Sequence, residues 1–389
     1  MASVSKRGNK YCVRYRYETE TGEIREKRVS GFLSKEDAWS AARDLEMKSS
    51  AGIDVHGDTM TCAEVMERWF ADHCGSLSIN TRAKYSAAID KLSGFFIAYM
   101  QIRRLDSRRF NLLLSQLQET VSVRTAVSNT EPLRLALSWA VAERLIPFNP
   151  LANVSLPKVP KRTQRILTDA DAEDLVSMSV ASNRRCTDFH IPLILALYGG
   201  LRREECAGLR WEDVDFDHNR LTISHVVTMT PDGTEHHKEP KTDLSARTVS
   251  MPSWIMAELE SAYHVFLSRP NAHTLQHNPL HRVCVTSVGD PYSCKSYAHA
   301  LLRLIREVNA QREASHKPRM PEASFHDLRH THAAMLIRMN VQPKVISERL
   351  GHSSIKMTMD TYGYLMPGLQ DAVADLFNQK YESRNSSAG

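Results

Sequence analysis

Residues 191–205 read Ile191-Pro-Leu-Ile-Leu-Ala-Leu-Tyr198-Gly-Gly200-Leu-Arg202-Arg-Glu-Glu205. The apolar run from Ile191 to Tyr198 has the length of a buried core helix, well short of the ~20 residues that span a bilayer. Gly199-Gly200 ends it, and a second helix opens directly afterwards with Arg202 and Glu205 in its first turns. This pair of helices lies inside the largest unit of the chain, residues 166–380. Thr168-Asp-Ala-Asp171 opens that unit's first helix. Leu221–Thr228, the turn Pro231–Thr234 and Arg247–Met251 predict a short antiparallel meander, with Lys241 at the end of its central strand. Everything after the meander is helix-dominated, and the polar stretch 381–389 reads as a disordered tail.

Upstream the patterning changes twice. Tyr11-Cys-Val-Arg-Tyr-Arg-Tyr17 alternates with period two, the signature of a half-buried strand. Ile24–Val29 returns as its partner, and Ser34-Lys-Glu-Asp37 has capping-box spacing that opens a helix. Residues 1–55 are therefore a small α+β unit. Residues 58–150 read as wholly helical, with a capping box at Thr61–Glu64 and helices over 80–99, 106–119 and 122–145. Residues 151–165 form a basic linker carrying Lys158, Lys161 and Arg162, with two prolines and no acid from Val154 onward. Arg14 and Arg16 share one face of the first strand. They read either as a solvated face or as phosphate contacts of a sheet laid on DNA, and the linker's charge supports the same two readings.

Composition narrows the function. The chain has 389 residues, 42% of them hydrophobic and 24% charged, with 50 Lys+Arg against 45 Asp+Glu and a net charge of +5. That is the range of a globular protein of two or three domains. The N-terminus lacks the apolar core of a secretory signal. Seven scattered cysteines, none spaced as Cys-x-x-Cys, point to reduced thiols in a cytoplasmic compartment. Phosphate-binding glycine loops and metal-ligand spacings are missing from the sequence, so no metal and no cofactor are expected.

Four short stretches carry the chemistry: Gly200–Glu205, Pro240–Thr248 with Lys241, Phe325-His326-Asp-Leu-Arg329-His330, and Leu350-Gly-His352 followed after nine residues by Tyr362. Each is weak alone. A single His-x-x-Arg pair is commonly a helix-surface contact. Together they offer guanidinium forks that bind phosphate bidentately, groups able to move a proton, and a hydroxyl able to act as nucleophile. Phosphoryl transfer consists mostly of such positioning and charge stabilisation.

In this order the motifs resemble the tyrosine recombinases, the integrases of temperate phages and integrative elements. Gly-Leu-Arg-x-x-Glu-x-x-x-Leu-x-Trp-x-Asp at 200–213 and Leu-Gly-His-Ser-Ser at 350–354 are similar to the family as well. The resemblance implies a mainly α fold with small β-sheets: an N-terminal α+β arm-site DNA-binding domain, a helical core-site DNA-binding domain and a mixed α/β catalytic domain. It implies that Arg202 and Arg329 clamp the scissile phosphate while His352 donates to a non-bridging oxygen. Lys241 would protonate the leaving 5′-oxygen, and His326 would assist proton transfer at the nucleophile. Tyr362 would form a 3′-phosphotyrosyl bond, and Glu205 would hold the active-site helix. The implied partners are double-stranded attachment-site DNA, a homotetramer in the synapse built from protomers that are monomeric in solution, an excisionase and a host DNA-bending protein. No membrane is involved. The implied location is the bacterial cytoplasm, at the nucleoid. Two other readings share parts of this pattern: a type IB topoisomerase-like nicking–closing enzyme and a non-catalytic DNA-binding regulator. Tyr364 stands where the family often has histidine, which places a second hydroxyl near the nucleophile.

Overall fold

The computed structural model describes residues 2–18, 24–50, 59–160, 164–181, 189–230, 232–238, 246–268 and 276–365, together with 374, 377, 378 and 381. The chain divides into two compact units, Met1–Lys161 and Arg162–Gly389. It is mostly helical with small antiparallel sheets. Among the described residues, no helix is long and apolar enough to cross a membrane.

The first unit begins with a three-stranded antiparallel sheet of β1 (Ala2–Arg7), β2 (Lys10–Glu18) and β3 (Ile24–Phe32), in that spatial order. Helix α1 (Lys35–Ser50) packs on it. Alternation decides the faces: Val13 and Tyr15 are buried with Ala38, Ala42 and Leu45 of α1, while Arg14 and Arg16 face outward. Strand β1 was not expected from the sequence. Its inward residues Ala2 and Val4 are small and few, so the period-two signal is short. The turn predicted at 20–23 lies outside the described residues.

A separate helical core follows, built from α2 (Cys62–His73), α3 (Ile79–Ser93), α4 (Ser107–Gln118), α5 (Val123–Asn129) and α6 (Glu131–Ala142). The Thr61 capping box forms: the Thr61 N–H donates to Glu64 Oε2 at 2.7 Å, and the Glu64 N–H donates to Thr61 Oγ1 at 3.2 Å. Two expectations need correction. Helix α3 stops at Ser93 rather than 99, because Gly94 starts a run of turns. The helix expected over 122–145 is two helices that break at Thr130. Pro132 sits in the first turn of α6, where its missing N–H costs nothing, whereas one continuous helix would need that donor. Beyond α6 the chain runs through turns to Asn153 and then without helix or strand to Pro160, whose carbonyl accepts from Arg124 Nη2 at 2.9 Å.

In the second unit α7 (Asp169–Ala181), α8 (His190–Gly199) and α9 (Arg203–Gly208) lead into the sheets. Thr168 caps α7 reciprocally with Asp171. Helix α8 is apolar on every side because it is the middle of the core, with Leu193 to Leu197 fully buried. The predicted meander is corrected. Strands β4 (Val214–Asp215), β5 (Arg220–Ile223) and β8 (Arg247–Ser250) form one sheet, and β6 (Val226–Met229) with β7 (Glu235–Lys238) forms a separate hairpin. The run 221–228 divides at Ser224-His225, whose side chains both turn to Asp213. At the same corner a Cβ on Gly208 would lie 2.5 Å from the His225 carbonyl oxygen. Helices α10 (Ser253–Ser268), α11 (Ser296–Ala314), α12 (Phe325–Arg338), α13 (Pro343–Leu350) and α14 (Ile355–Tyr362) complete the unit, and a 3₁₀ turn covers Gly363–Leu365.

Candidate active site

Helix termini build the site. Helix α8 ends at Gly200 and α13 at Gly351, both in the left-handed conformation, at φ 67° and 62°. The final carbonyls of a helix have no partner within it and carry the negative end of its dipole, so a buried cation there is favoured. Arg329, on α12 and 2% exposed, fills that role for both ends. Its Nη1 donates to the Gly200 carbonyl at 2.6 Å, and its Nη2 donates to the Leu350 carbonyl. Arg202, immediately before α9, donates through Nη2 to the Gly351 carbonyl at 3.1 Å.

Glu205 gathers these cations. Its carboxylate is 2% exposed and accepts from Arg202 Nη1 at 2.6 Å and from Arg247 Nη1 and Nη2 at 3.0 Å each, with Arg329 Nη1 at 3.8 Å. It also accepts from the Arg202 backbone N–H at 2.8 Å, which caps α9. Burial pushes the carboxyl up, but the hydrogen bonds and charge of Arg247, with Arg329 and Arg202, hold it down at about 2. Glu205 is therefore an anion fixed among three guanidiniums. Burial, then the charge of Arg202, lowers Arg329 to about 9, so it remains a cation at neutral pH.

Three histidines surround this cluster. His326 and Arg329 share a face of α12, as their spacing predicts, and the His326 ring meets His330 edge-on with centroids 4.5 Å apart. Contact with the protein, then Arg329 and Arg202, pushes His326 below the ordinary histidine value, although much of the residue is solvent-exposed. His352 hydrogen-bonds Thr358 Oγ1 through Nδ1 at 2.8 Å, and burial, then Arg329 and Arg202, lowers it to about 4. Tyr362 ends α14 at 1% exposure, with its hydroxyl 2.6 Å from His330 Nδ1. Burial pushes the phenol up to about 12 against the opposing pull of Arg329 and Arg202. Forming the phenolate at pH 7 thus costs about 7 kcal/mol. Tyr364, in the following 3₁₀ turn, is 68% exposed.

The structure thus brings together Arg202, Glu205, His326, Arg329, His352 and Tyr362. Lys241 lies outside the described residues, as do Lys161 and Arg162. Arg14 and Arg16 stay in the N-terminal sheet, each near Glu26, at 4.0 and 3.8 Å, and Lys158 is exposed in the segment before Pro160. Sequence reasoning missed Arg247, Arg349, His330 and His332. Arg247 anchors Glu205 and donates to the Arg349 carbonyl at 2.7 Å. Arg349 Nε donates to His332 Nε2 at 3.1 Å, and His332 Nδ1 donates to the Leu197 carbonyl at 2.8 Å. All four stand inside or beside the quoted motifs, but their spacing alone does not separate a buried arginine from a surface one.

Comparison with known proteins bears on the family and the fold. Residues 3–49 match the Arm DNA-binding domain. The Tyrosine recombinase XerC-like of Caldanaerobacter subterraneus subsp. tengcongensis is 23% identical over 388 residues, covering 93% of this chain and 94% of that protein. In fold, this chain is similar to the Tn1549 transposon integrase in complex with a circular intermediate DNA. The TM-score is 0.70 at 20% identity, over 82% of this chain and 99% of that one. A lambda integrase tetramer bound to a Holliday junction aligns with a TM-score of 0.53 at 17% identity, over 90% of this chain and 95% of that one. The match to the Phage integrase family runs over residues 165–365, more than half of the chain and all of the described cluster from Arg202 to Tyr362, and the chain belongs to that family.

Proposed function

We propose that this protein is a site-specific recombinase that cleaves and rejoins duplex DNA through a 3′-phosphotyrosyl bond to Tyr362, integrating or excising a mobile element. One observation carries the reading: a buried phenol stands within the field of two guanidiniums, Arg329 and Arg202, that are themselves fixed on helix ends and on Glu205. In this scheme Arg202, whose side chain is 30% exposed, is the accessible arm of a phosphate clamp and Arg329 its covered arm. His352 donates to a non-bridging oxygen. Lys241 protonates the leaving 5′-oxygen, and His326 assists proton transfer at the nucleophile. Charge from the arginines stabilises the pentacoordinate phosphorus, and the phosphotyrosyl bond retains the energy for resealing.

The division of labour along the chain belongs to the same proposal. Residues 1–55 bind arm-type sites, 58–150 bind the core site, 151–165 link them to the catalytic domain 166–380, and 381–389 form a tail. Arg14, Arg16, Lys158, Lys161 and Arg162 are the proposed phosphate contacts. The ion pairs of Arg14 and Arg16 with Glu26 are exposed, hence weak, and exchange readily for phosphate. Four protomers act in the synapse with an excisionase and a host DNA-bending protein, on nucleoid DNA in the bacterial cytoplasm. The lambda integrase tetramer on a Holliday junction supports the stoichiometry.

The test is covalent capture on a nicked suicide duplex carrying the element–chromosome junction, in EDTA and without nucleotide, with peptide mapping of the adduct. Attachment at Tyr362 is expected, and Tyr362→Phe should bind the duplex without capture. Adduct mapped to Tyr364, or capture that depends on added magnesium, would overturn the scheme.

A further inference from the structure

Of the three histidines on α12 and His352 in the turn between α13 and α14, one is hydrogen-bonded to the Tyr362 hydroxyl. His332 is committed at both ring nitrogens, to the Leu197 carbonyl and to Arg349, and His352 uses Nδ1 on Thr358. His326 reaches the cluster edge-on through the His330 ring. The hydrogen bond of the Tyr362 hydroxyl, among the described residues, is to His330 Nδ1 at 2.6 Å, with the two rings 5.6 Å apart and inclined at 61°. From this contact we propose that His330 is a catalytic residue, the general base that takes the Tyr362 proton as the phenol attacks DNA. The inference rests on the recombinase reading and deepens it.

The helix geometry that makes the contact follows from spacing. His330 lies four residues beyond His326 on α12, so the two rings meet edge-on along one face of the helix. Tyr362 is the last residue of α14, and its ring is held in an apolar cluster with Ala333, Ile337, Ile346 and Leu350. A neutral phenol buried there has one proton to donate, and Nδ1 of a neutral imidazole protonated on Nε2 accepts it. In the step, the Tyr362 oxygen–phosphorus bond forms, the bond from phosphorus to the 5′-oxygen breaks, and the phenol proton moves to His330 Nδ1. The 5′-oxygen takes its own proton from the separate acid, assigned above to Lys241. On resealing, His330 returns its proton to the departing tyrosine. His326, edge-on against the imidazole, assists that proton transfer through His330 by fixing the ring plane that aims Nδ1 at the hydroxyl.

Single-turnover capture distinguishes this role from its competitors. Two duplexes of the same junction sequence are used, one ordinary and one with sulfur replacing the bridging 5′-oxygen, whose thiolate leaves without an acid. The variants are His330→Ala and His330→Asn, with binding and thermal melting recorded for each. Asparagine retains an acceptor near the Nδ1 position but does not take a proton. Both variants should bind normally and capture about 10²-fold or more slowly on both duplexes, the scale of general-base catalysis. Restoration of capture by sulfur would overturn the assignment by placing His330 at the leaving group. Near wild-type capture by His330→Asn would overturn it by reducing His330 to a positioning residue. If His330→Ala does not fold, the asparagine variant alone decides. Failure of the wild-type protein to attach to either duplex would instead overturn the recombinase reading, and this role with it.

Discussion

Glu205 is ionised in a nearly dry site only because Arg247, Arg202 and Arg329 face it, and the cations are tolerable there only because of Glu205. Removing one partner of such a group leaves buried charge without compensation, so Glu205→Gln should destabilise the second unit by about 3–5 kcal/mol. Urea unfolding followed in that unit measures it, and a loss under 1 kcal/mol would contradict the described network. The proposed phosphate clamp is testable at the same scale. Arg202→Ala and Arg329→Ala should slow cleavage by ~10²–10³, the scale for one transition-state charge donor, in a single-turnover assay. Protonation separates Glu205 from its neighbours. Its carboxyl titrates at about 2 against an ordinary 4.5, so its contribution is complete above pH 4.5 and is lost as pH falls toward 2. His332 is lowered to about 3 by burial, then by Arg349, against an ordinary 6.5. The unfolded chain therefore binds that proton first, and stability falls with acid from pH 6.5 down to 3, by about 2 kcal/mol at pH 5. His332→Gln should flatten the fall in stability between pH 7 and 5 by that amount, while leaving the further loss below 4.5. An unchanged slope would show that His332 is not the neutral, buried group described. Most of these residues stood in plain view in the motifs. Their pairing did not, because Glu205 meets Arg247 across 42 positions and Arg329 across 124, and sequence spacing carries no information about such contacts.

The elements matter to the chemistry through where they stop. Gly200 and Gly351 close α8 and α13 and turn the carbonyls of Gly200, Leu350 and Gly351 toward Arg329 and Arg202. A Cβ on Gly200 would lie 2.6 Å from His332 Cδ2 and 2.9 Å from Leu350 Cδ2, in a conformation that alanine adopts at a cost. Gly200→Ala should destabilise the unit by about 2 kcal/mol or more and slow cleavage as well, because the carbonyl that seats Arg329 moves. Melting temperature and single-turnover capture read the two effects separately. A destabilised variant that cleaved at the wild-type rate would show that Arg329 does not depend on this helix end. The double-glycine stop after Tyr198, the caps at Thr61 and Thr168 and the face shared by His326 and Arg329 were legible because they are local. The break at Thr130 was legible in principle, since Pro132 marks a helix start, but the apolar periodicity runs through it. The division of 221–228 between two sheets was not, because the corner is made by Asp213, eleven residues upstream of Ser224.

At the scale of the whole molecule, the described chain holds separate hydrophobic cores. Val13, Tyr15, Ala38, Ala42 and Leu45 make the first, and the helices from Cys62 to Ala140 make another that shares no buried residue with it. Cutting between them therefore divides neither of these two cores. The Thr61–Glu64 box that starts α2 also stays intact in a chain beginning at residue 59. If residues 1–55 serve arm sites and nothing else, this truncated protein should melt like the full chain in its helical and catalytic parts. It should also capture a core-site duplex at a rate within a few-fold of wild type. Recombination between complete attachment sites should fall far more steeply, because that reaction depends on contacts outside the core. The comparison must be made on the same preparation, with capture and recombination measured side by side. A folded truncation that no longer cleaved the core duplex would mean that the N-terminal sheet acts at the core site itself. A truncation that recombined complete sites as well as the full chain would mean that the sheet, with Arg14 and Arg16, is not a DNA-binding element in this reaction.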